Sequence, residues 1–200
     1  MTPAARPSAN EAKLRELILY VSSMCELDES FGSIKLNKIL FNADFGAYAL
    51  WGKPITGVDY FALENGPAPR PMKKILRLMQ ENEEIAIREK DYYGFDQHRV
   101  FPLRSADIKK LFSVDEINLV FRVIQKCWGR SGKSMSEESH EFLGWSAAAL
   151  EETIPYSVAL VGTRGPTKGE IRRGLELRSM AEECLADNAS RKAPRNHRGA

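Results

Sequence analysis

The sequence predicts a mainly α (α+β) fold, a single compact helical domain with a small antiparallel β-hairpin or sheet. Three observations carry this. Apolar residues recur at helical spacing in several separate stretches, as in Leu14, Leu17, Ile18 and Val21. Residues 85–102 instead alternate, with a polar, Gly-containing turn in the middle. Clear punctuation separates these stretches, above all the capping box Ser113-Val114-Asp115-Glu116 and the Gly/Pro run at 65–69.

Taken in order, a first helix is expected over about 10–25, with Asn10 as its cap. A loop follows, and a second helix runs from Ser33 to about Leu50 with Leu36, Ile39, Leu40, Ala43 and Ala47 inward. Gly52-Lys53-Pro54 stops it. Tyr60-Phe61-Ala62-Leu63 reads as a short strand, and Asn65-Gly66-Pro67-Ala68-Pro69 as a rigid turn. A helix is expected to start at Pro69, because proline suits a first helical turn, and to reach Asn82. The hairpin of 85–102 comes next, with His98 in or beside its turn. Helix, turn, helix and hairpin is the order of a winged helix.

The second half turns helical again. Ser113 opens a helix to Cys127 with Ile117, Val120, Phe121 and Ile124 inward, and residues 129–133 break it. A helix from Ser134 reaches Trp145 and extends toward Glu152; Ile154-Pro155-Tyr156 is a turn. The domain organisation expected is a disordered tail at 1–9, the domain at 10–165, a C-terminal helix at 166–186 and a basic disordered tail at 187–200.

The chain has 200 residues, with 29 Lys or Arg against 27 Asp or Glu and a net charge of +2. Such balance excludes a polybasic protein that binds nucleic acid by charge alone. The excess is local. Nine basic and five acidic residues follow position 163, so the preceding body carries −2. No stretch approaches the roughly 20 apolar residues of a membrane helix, and the first ten residues lack the apolar region of a signal peptide. Cys25, Cys127 and Cys184 are too far apart for a zinc site and odd in number, which suits thiols in a reducing cytoplasm.

No residue pattern indicates catalysis, a metal or a cofactor. His98, His140 and His197 have no second histidine at ligand spacing. Gly132-Lys133-Ser134 imitates the end of a phosphate-binding loop, yet Cys127 stands where the first glycine belongs. Carboxylate pairs such as Glu137-Glu138 fit solvated helix faces. A nucleic-acid alternative rests on Lys35 and Lys38 of one helix and on Arg70, Lys73, Lys74 and Arg77, which share one helical face; this is the winged-helix DNA-binding regulator reading. An enzyme using His140 is a third, weaker alternative.

Several short motifs, in order, carry a resemblance. Lys35-Leu36-Asn37-Lys38-Ile39-Leu40-Phe41 with Ala43-Asp44 is similar to the "K-L-x-K-L-L-Y-x-A-D" opening helix of the Panacea domain, the SocA-like antitoxin family. Gly52-Lys53-Pro54-Ile55-Thr56-Gly57, Asp59-Tyr60, Ala62 and Asn65-Gly66-Pro67-Ala68-Pro69 resemble its "G-x-P-I-T-G…D-Y-x-A…x-G-P-V-P" run. Ser113 to Glu116, Ser139-His140 with Trp145, and Ile154-Pro155-Tyr156 resemble later landmarks. The similarity spans about 10–165. Ala68 and Asn42 depart from the pattern, and nothing after Arg164 matches it.

The resemblance implies a cytoplasmic antitoxin, without cofactor or membrane, that neutralises a cognate protein toxin by direct binding. It also implies service as an adaptor to a ClpXP-type protease. Fold holding or toxin contact falls to Lys35, Asn37, Lys38, Asp44, Tyr60, Asn65, Gly66, Pro67, Pro69, His140 and Trp145. Asn37 is suited to bond a neighbouring loop, and His140 and Trp145 to pack their helix on the first half. Aromatics and basic residues of the exposed surface, Arg70, Lys74, Tyr92, Tyr93 and Phe95, are the further candidate contacts.

Overall fold

The computed structural model describes residues 9–92 and 95–161, with 169, 172–173 and 180 beyond them; side chains are described for 11–89, 96–161 and those four. The chain divides into two units, Met1–Thr163 and Arg164–Ala200. The first is mainly helical with small antiparallel sheets. Of the second, the described residues are helical.

Helices α1 (Ala9–Met24) and α2 (Ser33–Trp51) come first. Leu14, Leu17, Ile18 and Val21 are fully buried, as are Leu36, Ile39, Leu40, Ala43 and Ala47. The two apolar stripes form one core with residues from the sheets and from α5. Gly52 ends α2 with a left-handed backbone (φ 67°), and its N–H donates to the Tyr48 carbonyl at 2.8 Å.

Strand β1 (Tyr60–Leu63) is followed by β2 (Gly66–Pro69), which the sequence reading took for a turn and a helix start. Leu63 pairs with Gly66, so Glu64-Asn65 is the two-residue loop of a hairpin. With β5 (Thr153–Ile154) the order is β2-β1-β5, all antiparallel. Proline survives here because β2 is an edge strand. The register explains the spacing. Arg70 N–H donates to the Asp59 carbonyl, so Pro69 and Pro67 occupy alternate positions whose N–H would point away from β1, toward α2. Two prolines delete two donors that would have no partner there.

Helix α3 (Met72–Glu81) therefore starts three residues later than the proline rule suggested. Strands β3 (Ile85–Tyr92) and β4 (Phe95–Pro102) form the second hairpin, with Ile85 opposite Pro102. His98 sits within β4 opposite Glu89 rather than at the turn. The order is thus helix, hairpin, helix, hairpin; a paired strand replaces the expected plain turn.

Helix α4 (Ile108–Leu111) leads to α5 (Val114–Cys127), where the capping box is complete. Glu116 N–H donates to Ser113 Oγ at 3.2 Å, and Ser113 N–H to the Glu116 carboxylate at 2.8 Å. Val120, Ile124 and Cys127 are buried, but Phe121 is 38% exposed and faces out. Helix α6 (Gly132–His140) begins earlier than expected, because Ser131 caps it. It stops at Glu141, and α7 (Leu143–Ser146) is separate. Residues 147–152 are not helical. A 3-10 turn, Tyr156–Leu160, closes the body.

Candidate functional site

The motif residues meet where α2, the β1–β2 hairpin and α6–α7 converge. Three polar side chains of α2, Lys35, Lys38 and Asp44, are buried in the interior, and each takes a different task.

Lys35 is 1% exposed. Its ammonium donates to the Asp28 carboxylate, to Ser30 Oγ at 2.8 Å and to the Arg130 carbonyl at 2.8 Å. Three donors find three acceptors, which is the condition for burying this charge. Burial pushes the Asp28 carboxyl up, but Lys35, Ser30 and the Gly129 N–H outweigh it and hold it below the usual range. The cluster ties the α1–α2 loop to the turn after α5. Arg99 of β4, also buried, donates to the carbonyls of Cys25, Glu26 and Asp28 at the end of α1. Nothing in the sequence pattern singled out Arg99; a basic residue in a strand usually faces solvent.

One turn on, Lys38 is 2% exposed and donates to the Pro67 carbonyl at 3.4 Å. Burial lowers its pKa to about 7. Gly66 (φ 92°) lies against it. A Cβ at Gly66 would stand 2.2 Å from Lys38 Nζ and 2.3 Å from Ser139 Oγ, so glycine answers both the backbone angle and the space. The expectation that Lys35 and Lys38 could meet phosphates is overturned: both lie inside.

Deeper in α2, Asp44 is fully buried. Its carboxylate accepts from Thr56 N–H at 2.7 Å, from Thr56 Oγ and from the Tyr60 hydroxyl at 2.8 Å. Burial raises its pKa despite those bonds. The set fastens the 52–57 loop and β1 to α2. Tyr60 packs edge-on against Phe41 and Phe45.

The hairpin turn is held carbonyl by carbonyl. Trp145 Nε1 donates to the Leu63 carbonyl at 2.9 Å, His140 Nε2 lies 3.1 Å from that of Glu64, and Ser136 Oγ donates to that of Asn65 at 2.9 Å. Because Glu64 O can only accept, His140 carries its proton on Nε2 in this bond. The rings of His140 and Trp145 stack at 3.8 Å between centroids. Ser136 Oγ is 3.5 Å from His140 Nε2, but each already serves a hairpin carbonyl. Asn37 bonds no loop through its amide oxygen, which is buried without a partner.

Arg70 is exposed, yet it donates to the Glu151 carbonyl and Thr153 Oγ and lies over the Phe61 ring, pinning β5 to the hairpin. Lys74 pairs with Glu11 of α1 at 3.0 Å. Tyr92 and Phe95 end the strands of the second hairpin; their side chains, and Tyr93 altogether, lie outside the described residues. The same holds for residues 1–8 and most of 162–200, where the expected tails and C-terminal helix fall.

Elsewhere, Met24, Phe121, Ile124, Gln125 and Trp128 line a shallow apolar groove of about 520 Å³ between the end of α1 and α5. Met24, Phe121 and Trp128 are 37–48% exposed. Sequence periodicity assigned Phe121 to the core and passed over Trp128. Among the described residues, no three His, Cys, Asp or Glu side chains could share a metal ion, and no helix is long and apolar enough to cross a membrane.

Fold and site together define a helical domain whose motif residues secure a proline-edged hairpin to a central helix. The family described as "Antitoxin SocA-like, Panacea domain" matches residues 36–146, more than half of the chain. The chain belongs to this antitoxin family. No curated protein and no solved structure matches it.

Proposed function

We propose that this protein neutralises a cognate protein toxin by direct binding and without catalysis. Family membership supports the antitoxin role. The observation that carries the binding mode is the apolar groove of Met24, Phe121 and Trp128. These large apolar side chains stand exposed together on one face, and such clusters supply most of the energy of stable interfaces. The polar motif residues are engaged inside the fold, so they act by positioning the surface. Arg70 and Lys74, exposed but already bonded internally, are secondary contacts, with Tyr92, Tyr93 and Phe95. Delivery to a ClpXP-type protease is a further step the bound complex could serve in a cytoplasmic setting.

A DNA-binding regulator is the weaker reading, since two of the six basic residues it needs are buried. The test is co-expression with the product of the adjacent reading frame. Restored growth and co-purification of the two chains are expected; arrested growth with this chain recovered alone overturns the proposal.

A further inference from the structure

The hairpin of β3 and β4 has two outer edges, and the fold closes one of them. Leu103 N–H donates to the Glu84 carbonyl at 2.8 Å, and Ile85 lies opposite Pro102. The hydrogen-bonded pairs of the ladder therefore fall at Ala86–Phe101 and Arg88–Arg99. Ile85, Ile87 and Glu89 turn their N–H and C=O groups the other way, outward from β4. On the β4 side the outward positions include Pro102, which has no N–H, and the strand packs against α1 and α2. On the β3 side, among the described residues, no further strand pairs and no group bonds the outward N–H of Ile87 or Glu89. Such an edge is a ready template for another strand.

The charge along this edge differs between its two faces. Arg88 shares one face with Ala86 of β3 and with Gln97, Arg99 and Phe101 of β4. Its guanidinium lies 5.4 Å from the Phe101 ring centre and has no carboxylate partner among the described residues. Arg99 stands directly opposite, committed to backbone carbonyls, and like charges so placed are destabilising unless an anion joins them. The other face carries Ile85, Ile87 and Glu89, with Glu89 3.3 Å from His98. This pattern resists a second copy of the chain. Antiparallel pairing of β3 with itself must match outward positions. The two registers of greatest overlap then set Arg88 against Arg88 or Glu89 against Glu89.

The geometry points to β3 as an edge to which an extended segment of a partner protein adds as a third, antiparallel strand, with an acidic residue opposite Arg88 and a basic one opposite Glu89. Backbone bonds at Ile87 and Glu89 hold the strand, and the side chains select its sequence. Arg88 falls at a non-hydrogen-bonded pair of the new ladder, where facing side chains come closest, so its acidic partner discriminates most. A β-branched residue suits the place opposite Ile87. This contact goes beyond the groove of Met24, Phe121 and Trp128, and it rests on the toxin reading only for which protein brings the strand.

The test follows the Ile87 and Glu89 amides of the full chain by NMR titration and hydrogen exchange. The probe is acetyl-Thr-Lys-Glu-Val-Thr-Val-amide, which when antiparallel sets its lysine against Glu89 and its glutamate against Arg88. The control peptide exchanges that lysine and glutamate. Saturable shifts and slowed exchange at both amides are expected with the probe, and several-fold weaker binding with the control. Glu89→Pro removes an outward N–H and no bond of the β3–β4 ladder, so it is expected to keep the fold and abolish binding. Arg88→Glu, which leaves the backbone edge intact, is expected to remove the preference for the probe. No saturable shift with either peptide, equal binding of the two by wild type, or a concentration-dependent dimer that protects the same amides overturns the proposal. In the complex with the toxin of the adjacent reading frame, protection of both amides is expected. A neutralised complex that leaves them unprotected overturns the strand addition and leaves neutralisation standing. If that toxin does not bind, the toxin reading fails and the peptides still decide the edge.

Discussion

Lys38 and Asp44 are both ionisable, both buried on α2, and penalised by burial in ways that can be measured separately. The Lys38 amine titrates at about 7 in the folded chain, against 10.5 unperturbed. A base with a depressed folded pKa contributes stability that is fully present above its unfolded pKa. That stability is lost as pH falls toward the folded value. Unfolding free energy is therefore expected to decline by about 1 kcal/mol per pH unit between pH 10 and pH 8 from this group. Urea titrations of wild type and Lys38→Met across that window check it; the variant should lose the slope. Asp44 holds three donors at once. Asp44→Ala strands the Thr56 N–H and hydroxyl and the Tyr60 hydroxyl, so a loss of about 3 kcal/mol is expected in the same assay. The chemical identity of both residues was plain in the motif, but their burial was not. A lysine three positions from another on a helix reads as a solvated face until the elements that cover it are known.

At the scale of elements, local signals were legible and pairing was not. The Ser113 capping box could be read in four consecutive residues because both its bonds are local. Ser113→Ala should cost about 1 kcal/mol in thermal or urea unfolding. By contrast, Gly66-Pro67-Ala68-Pro69 looked like a turn because proline is scarce in strands. Only the register against β1 shows that both prolines fall at outward positions. The break between α6 and α7 was hidden for a related reason. It shows only in three dimensions, where His140 at the end of α6 and Trp145 within α7 reach the successive carbonyls of Glu64 and Leu63. Arg99 makes a further element-level prediction. Its guanidinium spans three carbonyls at the end of α1. Arg99→Met should speed hydrogen exchange in β4 by about tenfold or more while leaving α2 unchanged. Equal protection in both proteins would show that the hairpin is held by other means.

For the molecule as a whole, the polar motif residues converge on an internal frame, and exposed apolar side chains gather elsewhere, beside α5. The net charge of the body, −2, suits recognition by shape and apolar contact better than attraction to a polyanion. This division of labour is the account's central claim: the family's motifs hold the fold, and a separate surface meets the partner. The periodicity of α5 places Phe121 in the core because the helix has enough apolar residues for its stripe to be drawn one position too wide, and the structure leaves it 38% exposed. The most direct measurement is the dissociation constant between the purified toxin of the adjacent reading frame and this chain, compared with its Phe121→Asp, Trp128→Asp double variant. The account predicts tight binding by the wild type and a loss of about 100-fold or more in the variant, with its melting temperature within a few degrees of wild type. No binding by the wild type, or equal binding by a stably folded variant, would contradict it.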